Sequence, residues 1–315
     1  MLQRSLVMPL ITSPLIIFYN PKQRAMPSSK FAMWNMRGFH EKSKERDMLS
    51  FSQTQDIDIF FLQEANFRSP VGGVTFRRDL HVDAFFSLTN SRACGVGIIF
   101  VSGRLRQRLL CAFGANGRML LLDVYTDGKR VRFVNLYAHV TRSDTNSFYK
   151  ELHKLLLGPL PQVLLGDFYC VVDSQRDVKG PGRGESTYHA KEFLKTLRHL
   201  NLTDASVHLH SDHFVPTRTS KTTASRIDRT YLPDYLLPSV VAWEVLVLPN
   251  NLAGKSEHPP LATTVRGCPG LRKCNLSWRL DPTLLQDKDC VQRLGDCIQG
   301  RWGTPPKETR IRGTL

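Results

Sequence analysis

The first half of the chain alternates short apolar runs with polar segments, which predicts strands separated by helices and turns. Five apolar runs have the length and composition of strands: residues 30–35, 58–64, 94–101, 119–125 and 130–137. The run at 58–64 is apolar almost throughout, so we expect a strand that is buried on both faces. Asp127-Gly128, between the last two runs, predicts a β-hairpin because both residues tolerate a positive φ.

The rest of the chain continues the same pattern with longer amphipathic segments. Helices are expected at residues 41–55, 143–157 and 187–200, where apolar side chains recur at helical spacing. Further strands are expected at residues 163–165, 206–210, 226–231, 240–248 and 261–265. The last of these follows Pro259-Pro260, which predicts an edge position in its sheet. Three glycines at 178–185 predict a loop.

The strand around Val163-Leu164-Leu165 ends on Gly166-Asp167. A carboxylate at a strand end is held rigidly and still reaches a cleft, so Asp167 is a candidate catalytic acid. The alternative is a simple turn, since Gly and Asp are common turn residues.

The net charge and the cysteine content indicate what kind of partner and what kind of protein to expect. The chain has 43 Lys and Arg against 28 Asp and Glu, a formal net charge of +15. Such a surplus favours a polyanionic partner such as nucleic acid or an anionic membrane, although a basic surface without that partner is an alternative. The seven cysteines show no two-residue spacing, which indicates reduced thiols in an intracellular protein.

The composition divides the chain into three segments. Residues 1–28 form an extension whose apolar stretch is interrupted by Pro9 and Pro14 and is too short to span a bilayer comfortably. Residues 29–267 carry the strand and helix pattern of one folded domain. Residues 268–315 begin with Cys268-Pro269-Gly270 and are expected to be a linker and tail, too short for an independent core.

Polar side chains follow six of the predicted strands at or just beyond their carboxyl ends: Asn35, Glu64, Tyr137, Asp167, Asp228 and His258. This set suits metal-assisted attack of water on a phosphodiester. Glu64 can hold Mg²⁺, a hard cation that prefers oxygen ligands. Asp167 can orient and deprotonate the water, and His258 beside Asp228 can donate a proton to the developing charge.

The segments that carry these residues resemble the endonuclease/exonuclease/phosphatase superfamily, in order along the chain. They are Trp34-Asn35-Met36-Arg37-Gly38, Leu62-Gln63-Glu64, Asn135-Leu136-Tyr137-Ala138, Gly166-Asp167-Phe168, Ser225-Arg226-Ile227-Asp228-Arg229 and Ser256-Glu257-His258. Cys170-Val171-Val172-Asp173 and the Tyr231 that follows Arg229 are most similar to the endonuclease domain of non-LTR, LINE-type retrotransposons. The resemblance covers about residues 30 to 266.

The resemblance implies an α/β fold, a four-layer deoxyribonuclease-like sandwich of two packed mixed sheets flanked by helices. It implies a Mg²⁺-dependent endonuclease, with Mn²⁺ as an alternative, that nicks DNA and leaves a 3′-hydroxyl to prime reverse transcription. The expected partners are DNA and a reverse-transcriptase domain or element RNA in trans. The segment around Trp278 also resembles the start of a reverse-transcriptase region, and a nuclear location is expected for a functional copy.

The same resemblance implies a role for each site residue. The catalytic residues are Asp167, His258, Asp228 and Tyr137. The metal ligands are Glu64, Asn35 and Glu257. The residues that contact phosphate or DNA are Asn35, Arg37, Tyr169 and Arg226.

Three positions depart from the family pattern. Tyr169 stands where the family has an Asn that donates a hydrogen bond near the scissile phosphate, and losing such a donor costs on the order of 10²–10³ in rate. Glu257 stands where the family has Asp, and the extra methylene shifts the neighbouring His258. Arg37 occupies a position that is Asp or Asn in some relatives.

These departures leave three hypotheses open. The first is a retroelement endonuclease whose activity is impaired by Tyr169 and Glu257. The second is a catalytically inactive DNA-binding remnant. The third is a phosphatase or phosphodiesterase of the same superfamily, and the net charge of +15 suits the anionic substrate of all three.

Overall fold

The structure is a computed structural model that describes residues 28–39, 41–67, 69, 71–89, 94–102, 107–126, 129–180, 190–211, 213–267, 271–272, 291–292 and 296. The chain divides into two compact units, Met1–Arg272 and Lys273–Leu315. The fold described below is that of the first unit. The predicted segments 1–28, 29–267 and 268–315 stay predictions.

The described residues of this unit form strands and helices with the following bounds. The strands are β1 Ser28–Asn35, β2 Ile59–Gln63, β3 Asp83–Ser87, β4 Val96–Phe100, β5 Gln107–Ala115, β6 Met119–Thr126, β7 Lys129–Tyr137, β8 Gln162–Asp167, β9 Val178–Lys179, β10 Leu202–Asp204, β11 Arg218–Thr219, β12 Ala224–Ser225, β13 Asp228–Pro233, β14 Val240–Val245, β15 Leu261–Arg266 and β16 Leu271–Arg272. The helices are α1 Lys42–Thr54, α2 Val71–Leu80, α3 Arg142–Leu156, α4 Ser174–Asp177, α5 Ala190–His199 and α6 Ala205–His210, with a 3₁₀ helix at Asp234–Ser239.

Two mixed sheets form the body of the domain. The first sheet has the order β14-β15-β1-β2-β4-β3, and the second has the order β10-β13-β8-β7-β6-β5 with β16 paired to one end of β7. The pairs β1–β2 and β7–β8 are parallel, and the remaining pairs are antiparallel. Each parallel pair is joined by a helix, α1 in the first sheet and α3 in the second, as a parallel crossover requires.

Strand periodicity explains the four layers. In β1, Phe31 and Met33 face the apolar core between the two sheets, whereas Ala32 and Trp34 face the core beneath α1 and α2. Successive strand side chains point to opposite faces, so one strand contributes to two cores. A third apolar core lies between the second sheet and helices α3 and α5. The expected helix–sheet–sheet–helix sandwich is therefore confirmed.

The hairpin and the fully buried strand are also as predicted. Thr126 pairs with Lys129, so β6 and β7 are joined by the two-residue connection at 127–128. All five residues of β2 are buried. Both features follow from local sequence, because a two-residue loop fixes the register and a strand in mid-sheet has two covered faces.

Two predictions about elements are wrong. The segment at 206–210 is helix α6 and not a strand, because the side chain of Asp204 caps it by accepting a hydrogen bond from the Ser206 N–H. Strand β15 lies inside its sheet between β14 and β1, so Pro259-Pro260 precedes the strand without making it an edge.

In the predicted loop at 178–185, Val178–Lys179 is strand β9, and residues 181–185 lie outside the described residues.

The elements that have no counterpart in the sequence pattern include α2, β3 and β5. Helix α2 contains Gly72 and Gly73, which weaken a helical pattern. Among the described residues, no helix is long and apolar enough to cross a membrane.

Candidate active site

The site forms where the carboxyl ends of strands in the two sheets meet. Asp167 ends β8 and pairs in register with Tyr137 at the end of β7 and with Asp228 at the start of β13. Gly166 makes this arrangement possible, because a Cβ at this position would lie 2.1 Å from the carbonyl oxygen of Leu136. Three neighbouring strands thus bring a phenol and two carboxylates together.

His258 completes a buried cluster with the two aspartates. Its Nδ1 lies 2.9 and 3.0 Å from the carboxylate oxygens of Asp228, and its Nε2 lies 4.0 Å from Oδ2 of Asp167. All three side chains are buried, and one ligand atom of each lies within 4.8 Å of the others. The arrangement holds Nε2 of the imidazole facing Asp167 while Asp228 anchors the opposite ring nitrogen.

Asn35 and Glu64 extend the cluster toward solvent. Nδ2 of Asn35 donates to Oδ2 of Asp167 at 3.0 Å and to Oε1 of Glu64 at 2.9 Å. Asn35 is buried, whereas Glu64 is half-buried and has a φ of 51°. A non-glycine residue held in the left-handed region is uncommon and recurs at functional sites, where surrounding contacts offset the strain.

Burial and neighbouring charges shift the pKa values of Asp167 and His258. Burial and the neighbouring Asp228 raise the pKa of Asp167 to about 6. Burial lowers the pKa of His258, but the Asp228 carboxylate outweighs it and raises the pKa of His258 to about 9. Near pH 7 the favoured state is therefore an ionised Asp167 facing a protonated imidazole.

Tyr137 lies at the edge of the cluster beside Glu64. Burial, the charge of Glu64 and a hydrogen bond with it raise the pKa of Tyr137 well above its usual range. Its ring lies under the guanidinium of Arg118, with Cζ 4.8 Å from the ring centroid. Arg118 also donates to the carbonyl oxygen of Ala138 at 3.1 Å, which holds the guanidinium over the ring. The charge of Arg118 lowers the pKa of the phenol, but burial and Glu64 outweigh it, so the phenol stays protonated.

Three buried contacts anchor the backbone around the site. Oγ of Ser256 donates to the carbonyl oxygen of Asn35 at 2.6 Å and accepts from the His258 N–H at 3.1 Å. The Trp34 indole N–H donates to the carbonyl oxygen of His258 at 2.8 Å. These bonds join β1 to the loop before β15, which fixes Asn35 relative to His258.

Known proteins share parts of this sequence and this fold. No protein-family model matches the chain. The transposon TX1 uncharacterized 149 kDa protein of Xenopus laevis is 23% identical over 273 residues, or 84% of this chain. The chain spans only 20% of the length of that relative.

Three solved structures are similar over about three quarters of the chain. An AP endonuclease from Archaeoglobus fulgidus has a TM-score of 0.59 and 17% identity, covering 75% of this chain and 98% of its own. The endonuclease domain of TRAS1, a telomere-specific non-LTR retrotransposon, has a TM-score of 0.56 and 16% identity, covering 76% and 99%. The 3′ phosphatase NExo from Neisseria, bound to a product DNA hairpin, has a TM-score of 0.56 and 16% identity, covering 75% and 98%.

The chain shares its fold with these three structures. The resemblance seen in the six sequence segments is thus confirmed at the level of architecture. On this fold the structure brings together Asn35, Glu64, Tyr137, Asp167, Asp228 and His258, the six residues singled out from sequence. Asp228 begins β13 and His258 precedes β15, so these two residues do not lie at the carboxyl end of a strand as predicted.

Tyr169 is half-buried, and its ring packs against the apolar core beneath α3 and α5. Its backbone N–H donates to Oδ1 of Asp167 at 3.0 Å. Its φ is 43°, a conformation that Asn adopts more readily than a bulky aromatic residue. The backbone at this position therefore supports Asp167.

Glu257 lies outside the cluster, although the resemblance implied a metal ligand at this position. Its Oε2 lies 3.2 Å from Nη2 of Arg37 and 3.3 Å from Nη2 of Arg218. Arg37, expected to contact phosphate, is therefore ion-paired at the rim of the site. The direction of the Glu257 side chain is set by these two cations.

Arg226, also expected to contact phosphate, is enclosed in the protein interior. It is 1% exposed and donates to Oδ1 of Asp177 from Nε and Nη2, at 3.1 and 2.8 Å. Its Nη1 donates to Oγ of Ser206 at 3.0 Å. A guanidinium held in this way cannot reach a DNA phosphate, so we assign Arg226 a structural role.

Sequence reasoning did not single out Arg118, Lys44 or the structural bonds of Ser256. Lys44 is buried and donates to the carbonyl oxygens of Met36 and Gly38. The helical period gave the only available signal, because Lys44 lies four residues before Met48 on the buried side of α1. Arg118 is the last residue of the turn before β6 and carries no comparable signal.

The donor set suits a hard divalent cation at Glu64. The carboxylate of Glu64 is half-buried, borders the cleft and accepts hydrogen bonds from Asn35 and Tyr137, which leaves lone pairs for a cation. Asn35 uses its Nδ2 on the two carboxylates, and its side-chain oxygen accepts the Arg37 N–H at 3.4 Å and keeps a second lone pair for a ligand. His258 is less suited, because its Nδ1 is engaged by Asp228 and its raised pKa keeps the ring protonated.

Proposed function

We propose that this chain is a metal-dependent DNA endonuclease domain of the retrotransposon type, which hydrolyses one phosphodiester and leaves a 3′-hydroxyl. The observation that carries the proposal is the convergence of Asn35, Glu64, Asp167, Asp228 and His258 in one buried, hydrogen-bonded cluster. The similarity to a transposon protein and to a retrotransposon endonuclease domain supports the same class. A net charge of +15 suits a DNA substrate.

Glu64, with the side-chain oxygen of Asn35, is the proposed site for Mg²⁺ or Mn²⁺. A bound divalent cation would neutralise phosphate charge and stabilise the leaving oxygen. Asn35 also separates the carboxylates of Glu64 and Asp167 by donating to both, which keeps one at the cation and one at the nucleophile.

Asp167 is the proposed general base. A base works best when its pKa lies near the operating pH, and a pKa of about 6 places Asp167 in that range while leaving it ionised at pH 7. It would take a proton from water as the oxygen attacks phosphorus. The bond from phosphorus to the 3′-oxygen breaks, so the 5′-phosphate stays on the other fragment.

His258 and Tyr137 are the proposed donors to the phosphate. Asp228 anchors Nδ1 of His258, so a protonated Nε2 faces the space beside Asp167 and can donate to a phosphoryl oxygen. Tyr137 stays protonated because its pKa is raised, and its phenol can donate in the same way. Both groups would stabilise charge that develops in the transition state.

A plasmid-nicking assay tests the proposed function. With Mg²⁺, the purified chain should convert supercoiled plasmid to the open circular form, and a DNA polymerase should extend the nick directly because the end is a 3′-hydroxyl. Glu64→Gln should abolish nicking at low Mg²⁺. Nicking that persists in EDTA, or nicks that need a phosphatase before extension, would refute the proposal.

The nicking rate that we expect depends on the residue at position 169. Restoring the side-chain donor with Tyr169→Asn should raise nicking by about 10²–10³-fold, since one donor to the developing charge is worth that much. Asn also relieves the strain of a bulky residue at a φ of 43°. Tyr169→Phe is the matched control, because it keeps the ring and supplies no donor.

DNA binding without cleavage is the second candidate, and the residue at position 169 favours it. The ring of Tyr169 packs against an apolar core, and the position lacks the side-chain amide of the family Asn. This candidate predicts salt-sensitive DNA binding that is unchanged in Asp167→Asn, with no nicking by either chain.

A reverse-transcriptase partner and a nuclear location belong to the endonuclease proposal and would be tested in cells.

A further inference from the structure

Three charged side chains at the rim of the site take no part in the reaction proposed above. Arg37 and Arg218 both pair with Oε2 of Glu257, at 3.2 and 3.3 Å. We call Arg37, Glu257 and Arg218 the rim cluster. Its net charge is +1, and its side chains are 48%, 37% and 32% exposed, in that order. A partly exposed, net positive cluster is available to an anion from solvent.

The backbone that carries Arg37 is fixed on both sides. Lys44, buried in α1, donates from Nζ to the carbonyl oxygens of Met36 at 2.5 Å and Gly38 at 2.9 Å. Arg37 itself has a φ of 53°, and its N–H donates to Oδ1 of Asn35 at 3.4 Å. The position of Arg37 is therefore set before any ligand arrives.

The other two members are tied to each other through the main chain. Arg218 begins β11, and the N–H of the next residue, Thr219, donates to the carbonyl oxygen of Glu257 at 3.2 Å. Glu257 directly precedes the catalytic His258, whose N–H is held by Ser256. Main-chain hydrogen bonds thus fix the rim cluster relative to the imidazole of His258.

The guanidinium groups of Arg37 and Arg218 both have N–H donors that Glu257 does not use. A guanidinium carries five N–H donors in a planar fork. Among the described contacts, Arg37 uses Nη2 on Glu257, and Arg218 uses Nε and Nη2 on the same oxygen. The remaining donors suit the oxygens of a phosphate, which guanidinium groups bind in a bidentate manner.

We propose that the rim cluster is a second phosphate-binding subsite, which holds a DNA backbone phosphate next to the one that is hydrolysed. Glu257 serves as the counter-ion that orients Arg37 and Arg218 and is not a metal ligand. This inference rests on the proposed function for its choice of DNA as the ligand. Arg218 also acts on the catalytic cluster, since its charge opposes protonation of His258.

The first test is the salt dependence of DNA binding, measured with a short duplex in EDTA so that no cleavage occurs. Arg37→Ala and Arg218→Ala should each weaken binding several-fold and reduce the slope of log affinity against log salt by about 0.9, the value for one phosphate contact. Arg37→Lys should keep most of the slope, because it keeps the charge.

Arg78→Ala is the matched control. Arg78 is an exposed arginine that pairs with Asp79 at 2.9 Å, as Arg37 pairs with Glu257, but it lies on α2. Its removal lowers the net charge by the same amount and should leave the slope unchanged. Equal slopes for all three alanine variants would overturn the subsite.

The second test separates the two roles of Glu257 by following the melting temperature as Mg²⁺ is added. Glu257→Gln should leave the Mg²⁺-dependent shift of the parent chain unchanged and should not weaken DNA binding in EDTA. Glu64→Gln should lose the shift. If Glu257→Gln loses it as well, Glu257 is a ligand and the inference fails.

The outcomes for this subsite and for the proposed function are distinguishable. A chain that loses DNA affinity in both arginine variants, but never nicks plasmid, would refute the endonuclease proposal and keep the subsite. A chain that nicks plasmid while Arg37→Ala and Arg218→Ala keep the parental slope would refute the subsite alone.

Discussion

Two consecutive residues of β13, Asp228 and Arg229, belong to two different buried charge clusters. Side chains of neighbouring strand residues point to opposite faces, so Asp228 faces His258 and Asp167, whereas Arg229 faces the other side of the sheet. There Arg229 donates to Asp204 at 2.7 Å and to Asp177 at 2.5 Å. The two clusters share burial and a strand, but they differ in charge balance.

The fully enclosed part of the cluster around Arg229 is neutral and structural. It consists of two arginines and two aspartates, Arg226, Arg229, Asp177 and Asp204, and the partly exposed Arg176 pairs with Asp177 from outside at 3.5 Å. Burial alone would raise the pKa of Asp177, but the two guanidinium groups outweigh it and hold the pKa below its usual range. Each charge has an opposite partner, as burial in a low dielectric demands.

The catalytic cluster lacks this balance. Asp167 and Asp228 face a single imidazole, so one negative charge remains without a partner even when His258 is protonated. This excess contributes to raising the pKa of Asp167 to about 6. The comparison shows that both clusters bury charge, whereas only the candidate active site keeps an uncompensated charge, a feature that recurs at functional sites.

Asp167→Asn should produce the largest change in activity. Removing the proposed base should lower the nicking rate by about 10²–10⁴-fold. Because Asn removes an uncompensated charge, the free energy of unfolding at pH 8 should stay within about 1 kcal/mol of the parent or rise. Plasmid nicking and urea unfolding measure the two effects, and a large loss of stability would show that the cluster is structural after all.

Arg226→Met should affect stability instead. It leaves Asp177 and Asp204 with one buried cation in place of two, beside the partly exposed Arg176, and removing one partner of a buried ion pair costs about 3–5 kcal/mol. Urea unfolding measures the loss. The double variant Arg226→Met with Asp177→Leu should recover part of it, since an apolar pair removes the unpaired charge. A stability unchanged in the single variant would contradict the structural role.

The pH dependence of stability should report His258. Its pKa is about 9 in the folded chain against 6.5 ordinarily, so its contribution is fully present below pH 6.5 and is lost as pH rises through 9. The parent chain should lose on the order of 2–3 kcal/mol of unfolding free energy across this window in Mg²⁺-free buffer. His258→Gln should show a flatter profile, and identical profiles would exclude a raised pKa.

Ser256→Ala should have the smallest effect. It removes the hydroxyl that joins the Asn35 carbonyl to the His258 N–H, which should cost about 1 kcal/mol in the free energy of unfolding. Because the imidazole loses an anchor, nicking should fall more than stability alone explains. Ser256→Thr keeps the hydroxyl and should restore both measurements.

Local patterns were sufficient to predict much of the fold. The Asp127-Gly128 hairpin, the buried strand β2 and the strand-end positions of Asn35 and Asp167 follow from residue type and spacing over a few positions. Helix α6 was predicted as a strand, because its helical conformation depends on a cap from Asp204 more than on periodicity. The interior position of β15 was missed because strand order is set by contacts between distant segments.

The sequence by itself determined that Asn35, Glu64, Tyr137 and Asp167 lie at strand ends, because a strand end and its polar residue are properties of a short segment. Only the tertiary structure decided how the charges pair. Arg226 lies 49 positions from Asp177 and pairs with it inside the protein, while Glu257 leaves the proposed metal site for Arg37 and Arg218. Ion pairing depends on distance and burial between remote segments, and residue type alone carries neither.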